Sequence, residues 1–119
     1  MIDKRWALPA ALLLFLTLLL SACAPGGAPA GGLILSEVMA KNNGALADDE
    51  GNYPDWIELH NPTDKAVNLK GYSLTDDVRK KGKFVFPEME IGAGDYLVVF
   101  ASGTERVDAE NRVVHMPFS

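Results

Sequence analysis

Few side chains in this sequence are equipped for chemistry, and their spacing narrows what they could do. Asp48, Asp49, Glu50, Asn52 and Asp55 gather hard oxygen donors around Gly51, the ligand type that Ca²⁺ accepts. The helix-loop-helix calcium pattern also requires Glu at its twelfth position, and counting from Asp48 that position is Leu59. No metal is therefore expected. The stretch reads as a solvated loop whose side chains cap their own backbone, with Ca²⁺ as the alternative. Arg79, Lys80, Lys81 and Lys83 could touch anionic headgroups or a nucleic-acid backbone. Beside Asp76 and Asp77 they read instead as a solvated hairpin tip. His60 and His115 stand in no metal-ligand spacing, and Gly92-Ala93-Gly94 lacks the third glycine of a nucleotide loop. No catalytic residue and no cofactor is expected. The lone cysteine, Cys23, excludes an intrachain disulfide.

Two unlike segments carry these residues. The chain has 119 residues, enough for one domain, with 16 acidic and 11 basic side chains. A net charge of -5 argues against a nucleic-acid partner, which would call for a basic footprint. From Trp6 to Leu20, 13 of 15 residues are apolar, and Lys4 and Arg5 precede them. A basic start, an apolar run and small residues after it have the layout of a secretory signal helix over residues 1–22. The run is short for a spanning helix, which needs about 20 apolar residues. Residues 24–32 are Gly, Pro and Ala only, a flexible tether that with Cys23 makes a linker over 23–32. Without residues 1–22, the remaining 97 residues carry 9 basic and 15 acidic side chains, a net charge of -6.

Residues 33–119 read as an all-β domain. Leu33 to Met39 is a strand by composition. Asp55 to His60 is another, with Ile57 and Leu59 on one face and Trp56, Glu58 and His60 on the other. Asn61-Pro62-Thr63-Asp64 makes a turn, because Pro62 presets φ at its second position. Proline there also removes the glycosylation signal from Asn61-Pro62-Thr63. Short strands follow at 67–69, 72–75 and 83–86, and Gly92-Ala93-Gly94-Asp95 turns into the strand 96–100. No window holds a helical apolar period, so a sandwich or barrel is expected. Trp56, Tyr72, Tyr96 and Phe100 could stack on a sugar, but at these periods they read as core.

Two resemblances add to this. Leu20-Ser21-Ala22-Cys23 resembles the lipobox of bacterial lipoproteins. That resemblance implies cleavage after Ala22, a diacylglyceryl group on the Cys23 thiol, and export to the cell membrane. Ala24 stands where Asp would signal retention, so an outer membrane is open as a destination. The segments 34–40, 47–54, 55–62, 69–76 and 91–99 resemble, in order, the bacterial form of the lamin-tail domain. This second resemblance implies an immunoglobulin-like β-sandwich, non-enzymatic in itself and used for tethering or binding. Family members continue past the segment resembling residues 113–119 with a final pair of strands around a glycine turn. An incomplete sandwich, or a fragment of a longer gene, is therefore expected. The leading expectation is a surface module anchored through lipid on Cys23, presenting its loops to a protein or an envelope polymer. The alternative is the front end of an exported kinase-like protein of the spore-coat H type.

Overall fold

The computed structural model describes residues 32–119. The expected signal helix, its Leu20-Ser21-Ala22 cleavage motif, Cys23 and all but the end of the tether lie outside the described residues. Within them the chain forms β1 (Ile34–Met39), β2 (Asp55–His60), β3 (Val67–Asn68), β4 (Ser73–Leu74), β5 (Phe84–Val85), β6 (Glu90–Ile91), β7 (Tyr96–Ala101), β8 (Arg106–Asp108) and β9 (Val113–Met116). No helix occurs among the described residues. The expected all-β class holds. Strands β1, β2 and β7 fall where alternation and β-branched content put them. The stretches expected at 67–69, 72–75 and 83–86 shrink to pairs of ladder residues. Strands β6, β8 and β9 are additions that the sequence reading did not name.

β1, β2, β7, β9 and β8 lie side by side in that order as one five-stranded sheet, and two short ladders, β3–β6 and β4–β5, complete the fold. All pairings are antiparallel except β7–β9, which is parallel. Strand alternation sends Ile57, Leu59, Leu97, Val99, Ala101, Val107, Val114 and Met116 to one face of the large sheet. There they meet Leu69, Leu74, Phe84, Phe86, Met89 and Ile91 from the other layer. Phe84 and Phe86 make an edge-on ring pair at 4.9 Å. Each large side chain withdrawn from water contributes about 1.5–3 kcal/mol, an upper figure because the unfolded chain already buries part of its surface. Two β-layers over one core are the immunoglobulin-like sandwich arrangement.

Two local features depart from simple alternation. The β1–β2 register runs Leu35↔Leu59 and then Glu37↔Glu58, with an irregularity at Ser36. An extra residue shifts the alternation, so Leu35 and Val38, three apart, share the inner face. The aromatic residues also divide. Trp56 is buried, on the outer face beside its register partners Met39 and Phe100. Tyr72 and Tyr96 are substantially exposed and so are not core. Tyr96 stacks flat on His60 at 4.1 Å on the outer face, whereas Tyr72 precedes β4 in the other layer. The four aromatics therefore share no sugar-stacking platform.

The turn at Asn61 joins the two layers. Its side chain is fully buried. The amide Nδ2 donates to the carbonyl oxygens of Lys65 at 2.7 Å, Ile91 at 3.0 Å and Gly92 at 2.9 Å. Its Oδ1 accepts from Thr63 N at 3.1 Å and Thr63 Oγ1 at 2.7 Å. Backbone bonds from Asn61 N to Asp95 O and from Gly94 N to Asn61 O close the same junction. Gly94 takes φ of 73°, a conformation open to glycine at little steric cost.

Candidate functional site

The loop of residues 40–54 between β1 and β2 carries the acidic stretch, and its conformation is built from the inside. Buried Asn42 donates Nδ2 to Leu46 O at 2.6 Å and to Pro54 O at 2.9 Å. Its Oδ1 accepts Ala45 N at 2.9 Å, so one amide ties the start of the loop to its end. Asp55, the first residue of β2, accepts the backbone N–H groups of Lys41 at 2.7 Å and Asn42 at 2.8 Å on one oxygen. Lys41 adopts φ of 71° at this point. Such a left-handed residue needs surrounding contacts to hold it. Asp48 Oδ1 accepts Glu50 N at 3.0 Å and Asn52 N at 2.8 Å. Two of the five candidate calcium ligands, Asp48 and Asp55, thus cap backbone donors.

Asp49 does something else. Arg106 of β8 grips it with two parallel bonds, Nη1 to Oδ2 and Nη2 to Oδ1, both 2.7 Å. This fork geometry is the strongest side-chain pairing that arginine makes. β1 and β8 are the two edges of the sheet, separated by four inter-strand steps of about 4.8 Å each, so the loop spans the sheet's width. Glu50 Oε1 lies 3.8 Å from the same guanidinium. The hydrogen bonds from Arg106 hold the Asp49 carboxyl well below the usual carboxylate range, against an opposing desolvation effect, and the His115 contact adds to the lowering. Asp49 in turn raises Arg106 above its ordinary value.

His115 completes the cluster. It is 3% exposed and faces outward between inward-facing Val114 and Met116. Its Nε2 lies 3.0 Å from Asp49 Oδ1 and 2.9 Å from Arg106 Nη2, and its Nδ1 lies 2.9 Å from Ser102 Oγ. Serine, histidine and aspartate in a row invite a nucleophile reading, which requires a free proton relay. A neutral imidazole has one donor and one acceptor, and arginine can only donate. If Nε2 accepts from Arg106, Nδ1–H donates to Ser102 Oγ, and the hydroxyl proton goes to Thr104 O at 3.3 Å. If Nε2–H donates to Asp49 instead, the hydroxyl donates to Nδ1. In the first arrangement Nδ1 already carries the proton and cannot accept the hydroxyl's; the second keeps the order of nucleophile, base and carboxylate but sets Nε2–H against an Arg106 N–H donor at 2.9 Å.

Metal binding meets a similar obstacle. Ligand atoms of Asp48, Asp49 and His115 lie within 4.8 Å of one another, although the two histidines have no such spacing in sequence. The Arg106 guanidinium already contacts Asp49 and His115 there, so a cation would have to displace a fixed positive charge. The cluster opens onto a cleft of about 670 Å³, lined by Asp48, Glu50, Ser102, Arg106 and His115 among others.

The basic stretch forms the connection from β4 to β5. Lys83 Nζ pairs with Asp76 at 2.5 Å and also sits 4.8 Å over the Phe118 ring. Arg79 pairs with Asp77 at 3.1 Å. These hydrogen bonds lower both aspartates. Two of its four cations are thereby engaged with carboxylates of the same hairpin.

Sequence reasoning did not find Arg106, Ser102 or His115 as partners of Asp49. They lie 57, 53 and 66 positions away along the chain, and no local pattern links them. The sequence profile of the Lamin Tail Domain family matches residues 27–116. No curated protein and no solved structure matches the chain. The family match begins before β1 and ends on the last residue of β9, covering the whole two-layered core. By that match and by its strands-only sandwich, the chain belongs to the lamin tail domain family, an immunoglobulin-like family that is not typically catalytic.

Proposed function

We propose that the protein is a non-enzymatic binding and tethering module, exported and held at the bacterial cell membrane by lipid on Cys23. The observation that carries the non-enzymatic part is that Arg106, a fixed cation, engages both Asp49 and His115 Nε2 in the Ser102–His115–Asp49 row. The most chemistry-like cluster among the described residues is spent on fastening a loop. The loops and sheet edges remain for contact with a protein or an envelope polymer. Support for the anchor is the run Trp6–Leu20 followed by Leu20-Ser21-Ala22-Cys23. Each buried methylene of an acyl chain contributes about 0.8 kcal/mol, and two chains give stable anchoring.

Fractionation of cells expressing the parent and Cys23→Ala tests the anchor. The parent is expected in the membrane pellet after a high-salt wash and the variant in the soluble fraction; a variant that stays in the pellet overturns it. Hydrolysis of p-nitrophenyl acetate tests the absence of chemistry. Equal rates for the parent and Ser102→Ala are expected, and a Ser102-dependent rate defeats the reading.

A further inference from the structure

The edge strand β1 shows two features that an isolated sandwich has no use for. Leu35 and Val38 face inward yet are 56% and 58% exposed, because no neighbour covers them on the outer side of β1 among the described residues. They form one wall of a groove of about 360 Å³ whose other lining includes Ile57, Leu74, Met116 and Phe118. On the opposite face of the same strand, Glu37 lies directly across from Glu58. Like charges in register on neighbouring strands repel. Ser36 Oγ donates to Glu58 Oε1 at 2.7 Å, but neither carboxylate has an ion-pair partner among the described residues.

A strand laid against the free edge of β1 would answer both features at once. Its inward side chains would extend the wall of Leu35 and Val38 over the groove. An outward side chain opposite Glu37 would sit beside the two carboxylates, where a lysine or arginine is favoured. A second copy of this chain fits less well, because residues 32–119 carry nine basic and fifteen acidic side chains, so two copies repel. We propose that β1 is the docking edge for an extended segment of another polypeptide, apolar on one face and cationic on the other, added as a sixth strand to the sheet. This is β-strand addition, in which the ladder gives affinity and alternate side chains give specificity. It rests on the reading of the domain as a binding module and names the surface that binds.

The test uses the full chain in detergent and a fluorescein-labelled eight-residue peptide alternating valine and lysine, followed by anisotropy. Saturable binding is expected, weakened about tenfold by Glu37→Lys, which places like charges where opposite ones stood. The same variant should gain affinity for a peptide alternating valine and glutamate, and Val38→Lys should abolish binding of the valine–lysine peptide. Melting temperatures of both variants near the parent's show that they fold. Cys23→Ala should bind the peptide like the parent, so failure of docking and failure of anchoring are separate results. The proposal is overturned by absence of binding at millimolar peptide, or by binding indifferent to Glu37→Lys. It is equally overturned if sedimentation shows that the chain alone dimerises through β1, or if the β1 amides that point away from β2 are already slow to exchange without peptide.

Discussion

Asn61→Ala is the substitution whose consequences can be worked furthest from the geometry. The side chain has no solvent exposure and serves three carbonyl acceptors and two Thr63 donors. Truncation leaves the Ile91 carbonyl without its amide donor inside the protein, at about 1–3 kcal/mol for an unsatisfied buried group. The groups of Lys65, Gly92 and Thr63 lie nearer solvent and lose about 0.5–1 kcal/mol each at most, since water replaces the bond. The expected destabilisation is about 3 kcal/mol. For the 88 described residues, total stability is about 4–13 kcal/mol at 0.05–0.15 per residue, so this is a large fraction. It lowers Tm by about 12–24 °C for a domain of this size. Asn61→Asp sharpens the test. At neutral pH a carboxylate faces the three carbonyl oxygens and donates nothing, so this variant should be less stable than Asn61→Ala. Burial and those oxygens raise its folded-state pKa above the unfolded value of about 3.9, so its deficit shrinks as pH falls through the folded value. Thermal unfolding of the full chain in detergent, followed by circular dichroism at neutral and acid pH, measures all three proteins. The reasoning is refuted if Asn61→Ala stays within about 4 °C of the parent, or if Asn61→Asp is the more stable variant at neutral pH.

Asp49→Asn tests the strap from the acidic loop to β8. The folded-state pKa of Asp49 is depressed, so its stabilisation is present above the unfolded value of about 3.9 and is lost as pH falls toward the folded value. The parent should therefore melt above the variant at neutral pH, and the gap should close below about pH 4; a gap that widens on acidification contradicts the assignment. Millimolar CaCl₂ should leave the melting temperature unchanged, because Arg106 occupies Asp49 and backbone donors occupy Asp48 and Asp55. A rise of several degrees, abolished by EDTA, would instead identify a calcium site.

Much of the fold is legible because its signals are local. Alternation across Asp55–His60 puts Ile57 and Leu59 on one face before any partner strand is known, and the structure turns that face to the core. The turns at Asn61–Asp64 and Gly92–Asp95 follow from the φ values that proline and glycine allow. The ordered segments resembling the lamin-tail domain carry the fold class further than composition could. β8 and β9 were less visible because each mixes charged and apolar residues over only three or four positions. The parallel pairing of β9 with β7 has no local signature. The acidic stretch was legible as a ligand-rich loop, but not as a strap closed by an arginine 57 residues away.

The sequence by itself determined the strand periodicities, the turn positions, the lone thiol at Cys23 and the acidic character of residues 23–119. Those properties depend on residue type and near-neighbour spacing. Only the tertiary structure decided that Arg106 and His115 meet Asp49, that Asn61 spans two layers, and that an irregularity at Ser36 turns Leu35 and Val38 to one face. Each of these depends on which distant strand closes on which and in what register. A shift of one residue in a strand exchanges its two faces, so register is settled by the packing of the whole sheet.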